Sequence, residues 1–203
     1  MWAWIALWGW LVFALLAFGL RSWVQWRRTG SAGFRGFSGH GVERLGGVLF
    51  ALAIVLSLAS PMATLGDWVP AIAALAWPRA GLLLYGLGLS GTLWAQWAMG
   101  GSWRIGVDAS ERTALVTDGP FRWVRNPIFS AMGICTLGLV LLVPSLLSIA
   151  AFVSLIVGVE LQVRLLEEPY LLHVHGQTYR AWAERVGRFV PFVGRGLADR
   201  SQP

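Results

Sequence analysis

The stretch NPIFSAMGICTLGLVLLVPSLLSIAAFVSLIVGV, residues 126–159, contains no charged side chain; Arg125 precedes it and Glu160 follows it. A helix that crosses a hydrocarbon core about 30 Å thick needs about 20 mostly apolar residues. The run is too long for one crossing and long enough for two short ones. Pro144 stands in its middle, and a proline inside a helix removes a backbone hydrogen bond and collides with the preceding turn. Ser145 follows, and a serine hydroxyl can cap a helix N-terminus. The stretch therefore reads as a helical hairpin, with one helix over 127–143 and the next over 145–165.

Three further apolar stretches lie upstream, at 2–24, 45–65 and 79–99. The first has no basic residue before its apolar run, no small-residue cleavage site and too great a length for a signal peptide, so it reads as a retained helix. The expectation is an all-α integral membrane protein with five transmembrane helices. Helices four and five form the hairpin, and an amphipathic helix follows in the cytoplasm. The chain divides into helices one to three (1–99), a core with helices four and five (100–192) and a tail (193–203).

Composition agrees. Of the 203 residues, 56% are apolar and 13% charged, against about 25% charged in a soluble domain; mean hydropathy is +0.62. That apolar content excludes disorder. Cys135 is the only cysteine, which excludes a disulfide scaffold. The net charge of +6 invites a nucleic-acid partner, but no soluble domain exists to carry a basic face. No nucleic acid is expected, and the charge is read as topology.

All the basic residues other than histidine are arginines. Arg21, Arg27, Arg28, Arg35 and Arg44 flank the first connection, and Arg104, Arg112, Arg122 and Arg125 lie in the third. Arg164 and every later arginine follow the fifth helix, while Arg79 alone falls on the other side. Positive charge favours the cytoplasmic face. The N-terminus is therefore expected outside the plasma (inner) membrane and the C-terminus in the cytoplasm. The tryptophans fit belts at both interfaces: Trp2, Trp4, Trp68 and Trp77 on the outer side, and Trp23, Trp26, Trp94, Trp97 and Trp103 on the inner. The glycine-rich segment 29–41 has neither the preceding strand nor the lysine of a phosphate-binding loop and reads as a cytoplasmic loop.

Polar chemistry gathers in the last hundred residues. Glu160, Arg164, Glu167 and Glu168 fall at i, i+4, i+7 and i+8, a spacing that places them on one helix face. That face reads either as a salt-bridge ladder or as the wall of a polar pocket at the cytoplasmic mouth. On the second reading Glu168, stacked over Glu160 and Arg164, faces the pocket more directly than Glu167. Asp118-Gly119-Pro120 reads as a turn, and Pro127 suits the first turn of helix four. The helix N-terminus and Arg122 and Arg125 could hold an anion, or the arginines could snorkel to headgroups. Tyr179, Trp182, Ala183 and Val186 fall at i, i+3, i+4 and i+7. They make one face of a short amphipathic helix between Gly176 and Gly187, lying on the membrane or closing over the pocket. His173 and His175 lack the further ligands of a metal site, so no metal is expected. Cys135 reads as packing inside helix four.

Gly119-Pro-Phe-Arg-Trp-Val-Arg-Asn-Pro-Ile-Phe129 resembles the G-P-[YF]-R-x-[VI]-R-[HN]-P-x-[YF] signature of the isoprenylcysteine carboxyl methyltransferase and phospholipid methyltransferase superfamily. Glu167-Glu168, Leu171, Gly176-x-x-Tyr179 and Val186-x-Arg188-Phe-Val-Pro191 resemble its second block, in matching order and spacing. Ser102-Trp-Arg-Ile-Gly106 and Leu115-Val-Thr-Asp-Gly119 resemble the approach to the first block in bacterial members. The resemblance covers about 100–192. It implies S-adenosylmethionine as cofactor, held by Arg122, Val124, Arg125, Asn126 and Pro127 on one side and Glu167, Glu168 and Tyr179 on the other. Many members carry histidine where this chain has Asn126, and asparagine cannot titrate near pH 7.

The expected reaction is methyl transfer to a small lipophilic acceptor entering from membrane lipids. Carboxyl O-methylation of an isoprenylcysteine-like compound is the superfamily default. Arg164 or Arg125 would position such a carboxylate, with Glu160 and Arg164 on the substrate side. An amine acceptor would need a base, Glu168 or Glu160. The other readings are a lipid amine N-methyltransferase, an NADPH-dependent reductase of the steroid-reductase kind, and a helical scaffold or transporter subunit. Against the last, the charges cluster at one mouth and leave no polar path across the bilayer.

Overall fold

A computed structural model describes residues 1–33, 41–104 and 114–197, with the side chains of Val42 and Glu43 left out. Arg35, Arg112, Ile105 and Gly106, most of the 29–41 loop and tail residues 198–203 lie outside the described residues. The rest is helical, with no strand among the described residues. Helix α1 runs Trp2–Thr29, α2 Val42–Leu65, α3 Pro78–Ala98, α4 Pro127–Leu142 and α5 Leu146–Gln162. A π-helical turn, Val163–Glu167, leads from α5 into α6, Glu168–Ala183. Three of these helical stretches are long and apolar enough to cross a membrane, and α4 is apolar but shorter.

The hairpin forms where Pro144 and Ser145 place it. Ser145 caps α5, accepting from the Ser148 N–H at 3.2 Å while the Ser148 hydroxyl accepts from the Ser145 N–H at 3.0 Å. Pro127 occupies the first turn of α4, where its missing N–H has no intrahelical partner to lose.

Glycines set the packing. A Cβ on Gly88 of α3 would fall 2.6 Å from the Cys135 Cα of α4. A Cβ on Gly158 of α5 would fall 2.9 Å from the Phe50 N of α2. Two helix pairs, α3–α4 and α2–α5, thus meet backbone to backbone, as small residues allow in membranes. The α1 helix closes the bundle: Trp10 Nε1 donates to Ser57 Oγ at 2.9 Å, and Gln96 Nε2 of α3 donates to the Ala17 carbonyl at 2.9 Å. That carbonyl belongs to a π-helical stretch, Ala14–Leu20, where the wider turn leaves backbone groups in need of outside partners.

Most tryptophans are exposed, Trp4, Trp23, Trp26, Trp68, Trp77, Trp94 and Trp97 among them, as belt residues require. Trp103 departs from the expectation. It is 2% exposed, because the Arg21 guanidinium lies 4.6 Å above its ring and ties it to α1. Arg21 itself is buried and donates to Gln25 Oε1 and the Gly100 carbonyl.

Candidate active site

At one end of the bundle, α1–α5 and the start of α6 line a cavity of about 180 Å³. One part of its wall is apolar, with Phe18, Phe50, Phe129, Met132 and Val159. The rest is polar or aromatic and carries Arg104, Arg125, Asn126, Glu167, Tyr170 and Trp182. Pro127 lies between them. The amphipathic stretch takes the second of its two expected positions. Gly176 (φ 53°) breaks the helix, and the residues beyond it fold back. Tyr179, Trp182, Ala183 and Val186 pack with Phe121 in a small core while Trp182 lines the cavity.

The expected single face of Glu160, Arg164, Glu167 and Glu168 does not form. The π turn at Val163–Glu167 adds a residue to one turn, so later side chains rotate out of phase. Glu160 and Arg164 pair with each other on an exposed flank and do not line the cavity. Glu167 turns into the cavity. Glu168, expected to face it more directly, instead turns into the protein. Its carboxylate accepts from Arg188 Nε at 2.8 Å and Nη2 at 3.0 Å, and Arg125 Nη2 lies 3.3 Å away. All three side chains are buried.

This ion triad builds the mouth. Arg125 N donates to the Gly187 carbonyl at 2.8 Å, and Asn126 N to the Arg188 carbonyl at 3.1 Å. Val124 and Gly187 form an isolated bridge. Arg125 Nη2 also donates to the carbonyls of Gly194 (2.7 Å) and Gly196 (3.1 Å). The C-terminal segment is thereby laced around Arg125. Asn126 contributes its amide: Nδ2 donates to the Arg188 carbonyl at 3.2 Å, and no side-chain bond caps α4. Ser130 Oγ donates to the Phe189 carbonyl at 2.6 Å.

Of the residues expected at the site, the cavity collects Arg125, Asn126, Pro127 and Glu167. Arg122 is exposed, Val124 and Tyr179 are buried, and none of these three lines it. Tyr179 instead stands beside the Arg125 guanidinium, and burial pushes its phenol up, so it stays neutral. Sequence reasoning missed Gln96, Gln162, Trp182 and Arg104 as cavity residues, and Arg188 as the main partner of Glu168.

The electrostatics follow from enclosure. Glu167 follows the apolar helix α5, Leu146–Gln162, and desolvation in the cavity wall pushes its carboxyl up to about 7. The Gln162 amide and the Arg104 charge oppose that rise. Burial lowers Arg125, against the pull of Glu168. Hydrogen bonding to Glu168 raises Arg188. Several buried donors are left over: Arg125 Nε and Nη1 and Trp182 Nε1 have no hydrogen-bond partner. Such orphans are rare in folded proteins and call for an explanation. Together the wall offers donors for a carboxylate, a carboxylate for a cation, and aromatic faces beside both. Donors and a carboxylate suit the amino-acid portion and the sulfonium of S-adenosylmethionine.

The family model of phospholipid methyltransferases matches residues 77–178. No curated protein matches the chain significantly. The matched span begins just before α3 and ends in α6, so it takes in much of the cavity wall.

Proposed function

This chain belongs to the phospholipid methyltransferase family, and from that premise we propose that it is an integral membrane methyltransferase that uses S-adenosylmethionine on a lipophilic acceptor. The observation that carries the reading is the cavity itself. Arg125 and Trp182, with their orphaned donors, and the Glu167 carboxylate share one cavity with an apolar wall.

When bound, S-adenosylmethionine supplies an electrophilic methyl on a sulfonium and leaves as a neutral thioether. Arg125 Nε and Nη1 and Trp182 Nε1 would hold its carboxylate, and Glu167 with Tyr170 would face its cationic end. Phe18, Phe50, Phe129 and Met132 would receive the acceptor's apolar part. Holding both reactants in line can contribute up to about 7–11 kcal/mol toward the barrier.

Two acceptor chemistries follow. For a lipid amine, the nitrogen would receive the methyl on its lone pair, and Glu167 would take the proton the nitrogen gives up. The family description and the position of Glu167 favour this reading. For an isoprenylcysteine-like carboxylate no base is needed, and Arg104, which lines the same cavity, would position it. The test is transfer of labelled methyl from S-adenosylmethionine to phosphatidylethanolamine or to a farnesylated cysteine, with the protein in nanodiscs. We expect label in the lipid amine. Label in the cysteine ester assigns the second chemistry, and label in neither contradicts the methyltransferase reading.

We further propose five crossings of the plasma (inner) membrane, with the N-terminus outside and the mouth in the cytoplasm. The arginine asymmetry supports this. Cys135 is buried, so background labelling is low. A cysteine at Ser31 should react from the cytoplasmic side and one at Gly66 from outside; reversed labelling overturns the orientation.

A further inference from the structure

Two glutamines stand on the cavity wall. Gln96 comes from α3 and Gln162 from the last turn of α5, and both line the cavity. They are 3% and 8% exposed. Their amide orientations are fixed by their partners. Gln96 Nε2 donates to the Ala17 carbonyl at 2.9 Å, and a flip would set one carbonyl oxygen against another. The Gln162 amide hydrogen-bonds the Glu167 carboxyl; above pH 7, where that carboxyl is ionised and only accepts, Nε2 faces it. In both residues the remaining atom, Oε1, is buried and without a partner.

An amide oxygen kept from water in a wall that also holds Phe18, Phe50, Met132 and Val159 is costly unless something donates to it. On the same wall, the unpartnered donors belong to Arg125 and Trp182. The two glutamines present the opposite polarity. A ligand that satisfies them must bring an N–H or O–H group.

We infer that Gln96 and Gln162 recognise a hydrogen-bond donor on the polar head of the lipophilic acceptor and select compounds that carry one. The word acceptor rests on the methyltransferase reading; the donor requirement rests on the two amide oxygens alone.

The test uses two probes of equal chain length, 1-dodecanol and its methyl ether, which differ in one O–H donor. Binding is measured by calorimetry on the full chain in nanodiscs. The parent protein should bind the alcohol about tenfold more tightly than the ether, the size expected when a buried acceptor is satisfied in one complex and not in the other. Gln96→Leu and Gln162→Leu should each reduce that ratio. Equal affinities in the parent protein overturn the inference, whatever the variants do, and so does failure to bind either probe. Retention of the full ratio in both variants also overturns it. Titration of the same parent sample with S-adenosylhomocysteine separates the two ideas. No signal there counts against the methyltransferase reading, while the alcohol-to-ether ratio still reports on the amides.

Discussion

The packed helix pairs and the mouth of the cavity are held together by different physics. Between α3 and α4 there is contact of backbone on backbone, set by Gly88 against Cys135. At the mouth, one carboxylate, Glu168, lies between the guanidiniums of Arg125 and Arg188. The first arrangement is close apolar contact. The second carries more donors than its carboxylate uses, and Arg125, whose Nε and Nη1 are left over, lines the cavity. The contrast separates what holds the protein together from what binds a ligand. Glu168 belongs to the former, and Glu167, its neighbour in sequence, lines the cavity instead.

The sharpest way to break this contrast is to remove Glu168. Truncating one partner of a buried ion pair leaves uncompensated charge at a cost of about 3–5 kcal/mol. Glu168→Ala should therefore lower the melting temperature in detergent by many degrees and release the C-terminal segment to proteolysis. A near-parental melting temperature would return Glu168 to the list of ligand-binding residues.

Next in size is a test of the glycine contact. Gly88→Val places atoms where the α4 backbone already lies, and overpacking of this kind costs about 1–3 kcal/mol. Gly86, two residues earlier, has open space around its Cβ position. Gly86→Val should leave the melting temperature almost unchanged. Equal effects at the two positions would mean that α3 and α4 do not meet at Gly88.

Asn126 tests the seam between the regions. Asn126→Asp keeps the shape but loses the donor to the Arg188 carbonyl, leaving two oxygens face to face. We expect a loss of about 1–3 kcal/mol, seen as a lower melting temperature. A gain in stability would instead indicate an α4 cap, since a carboxylate suits a helix N-terminus.

The last test is a pH dependence. The Glu167 carboxyl is raised from 4.5 to about 7 in the folded protein. Folding therefore favours its protonated form. That contribution to stability is full below pH 4.5 and is lost as pH rises to about 7. Binding of a cationic ligand has the opposite sign, because it requires the carboxylate. S-adenosylmethionine affinity should rise as pH passes through about 7, and Glu167→Gln should flatten the profile. A profile unchanged by that substitution would remove Glu167 from the cationic end of the site.

Much of the helical plan was legible in the sequence, because apolar runs and a Pro144-Ser145 boundary report directly on helix length and breaks. The hairpin, the cap at Ser145 and the position of Pro127 all follow from local chemistry. The grouping of carboxylates did not, because constant α-helical phase was assumed through Val163–Glu167, where the chain winds a π turn. Arg188 reads only as one residue of a spaced block, since its partnership with Glu168 depends on the chain folding back after Gly176. Gln96 and Gln162 did leave a signal. Each is an amide within or at the end of an otherwise apolar helix, a place where a polar group demands a partner.

The central claim is that the cavity binds the donor half of a methyl-transfer reaction, and calorimetric titration of the parent protein in nanodiscs tests it most directly. S-adenosylhomocysteine should bind with one-to-one stoichiometry, and NADPH, titrated separately, should give no signal. Binding of NADPH with silence from S-adenosylhomocysteine would contradict the account and assign the cavity to a reductase.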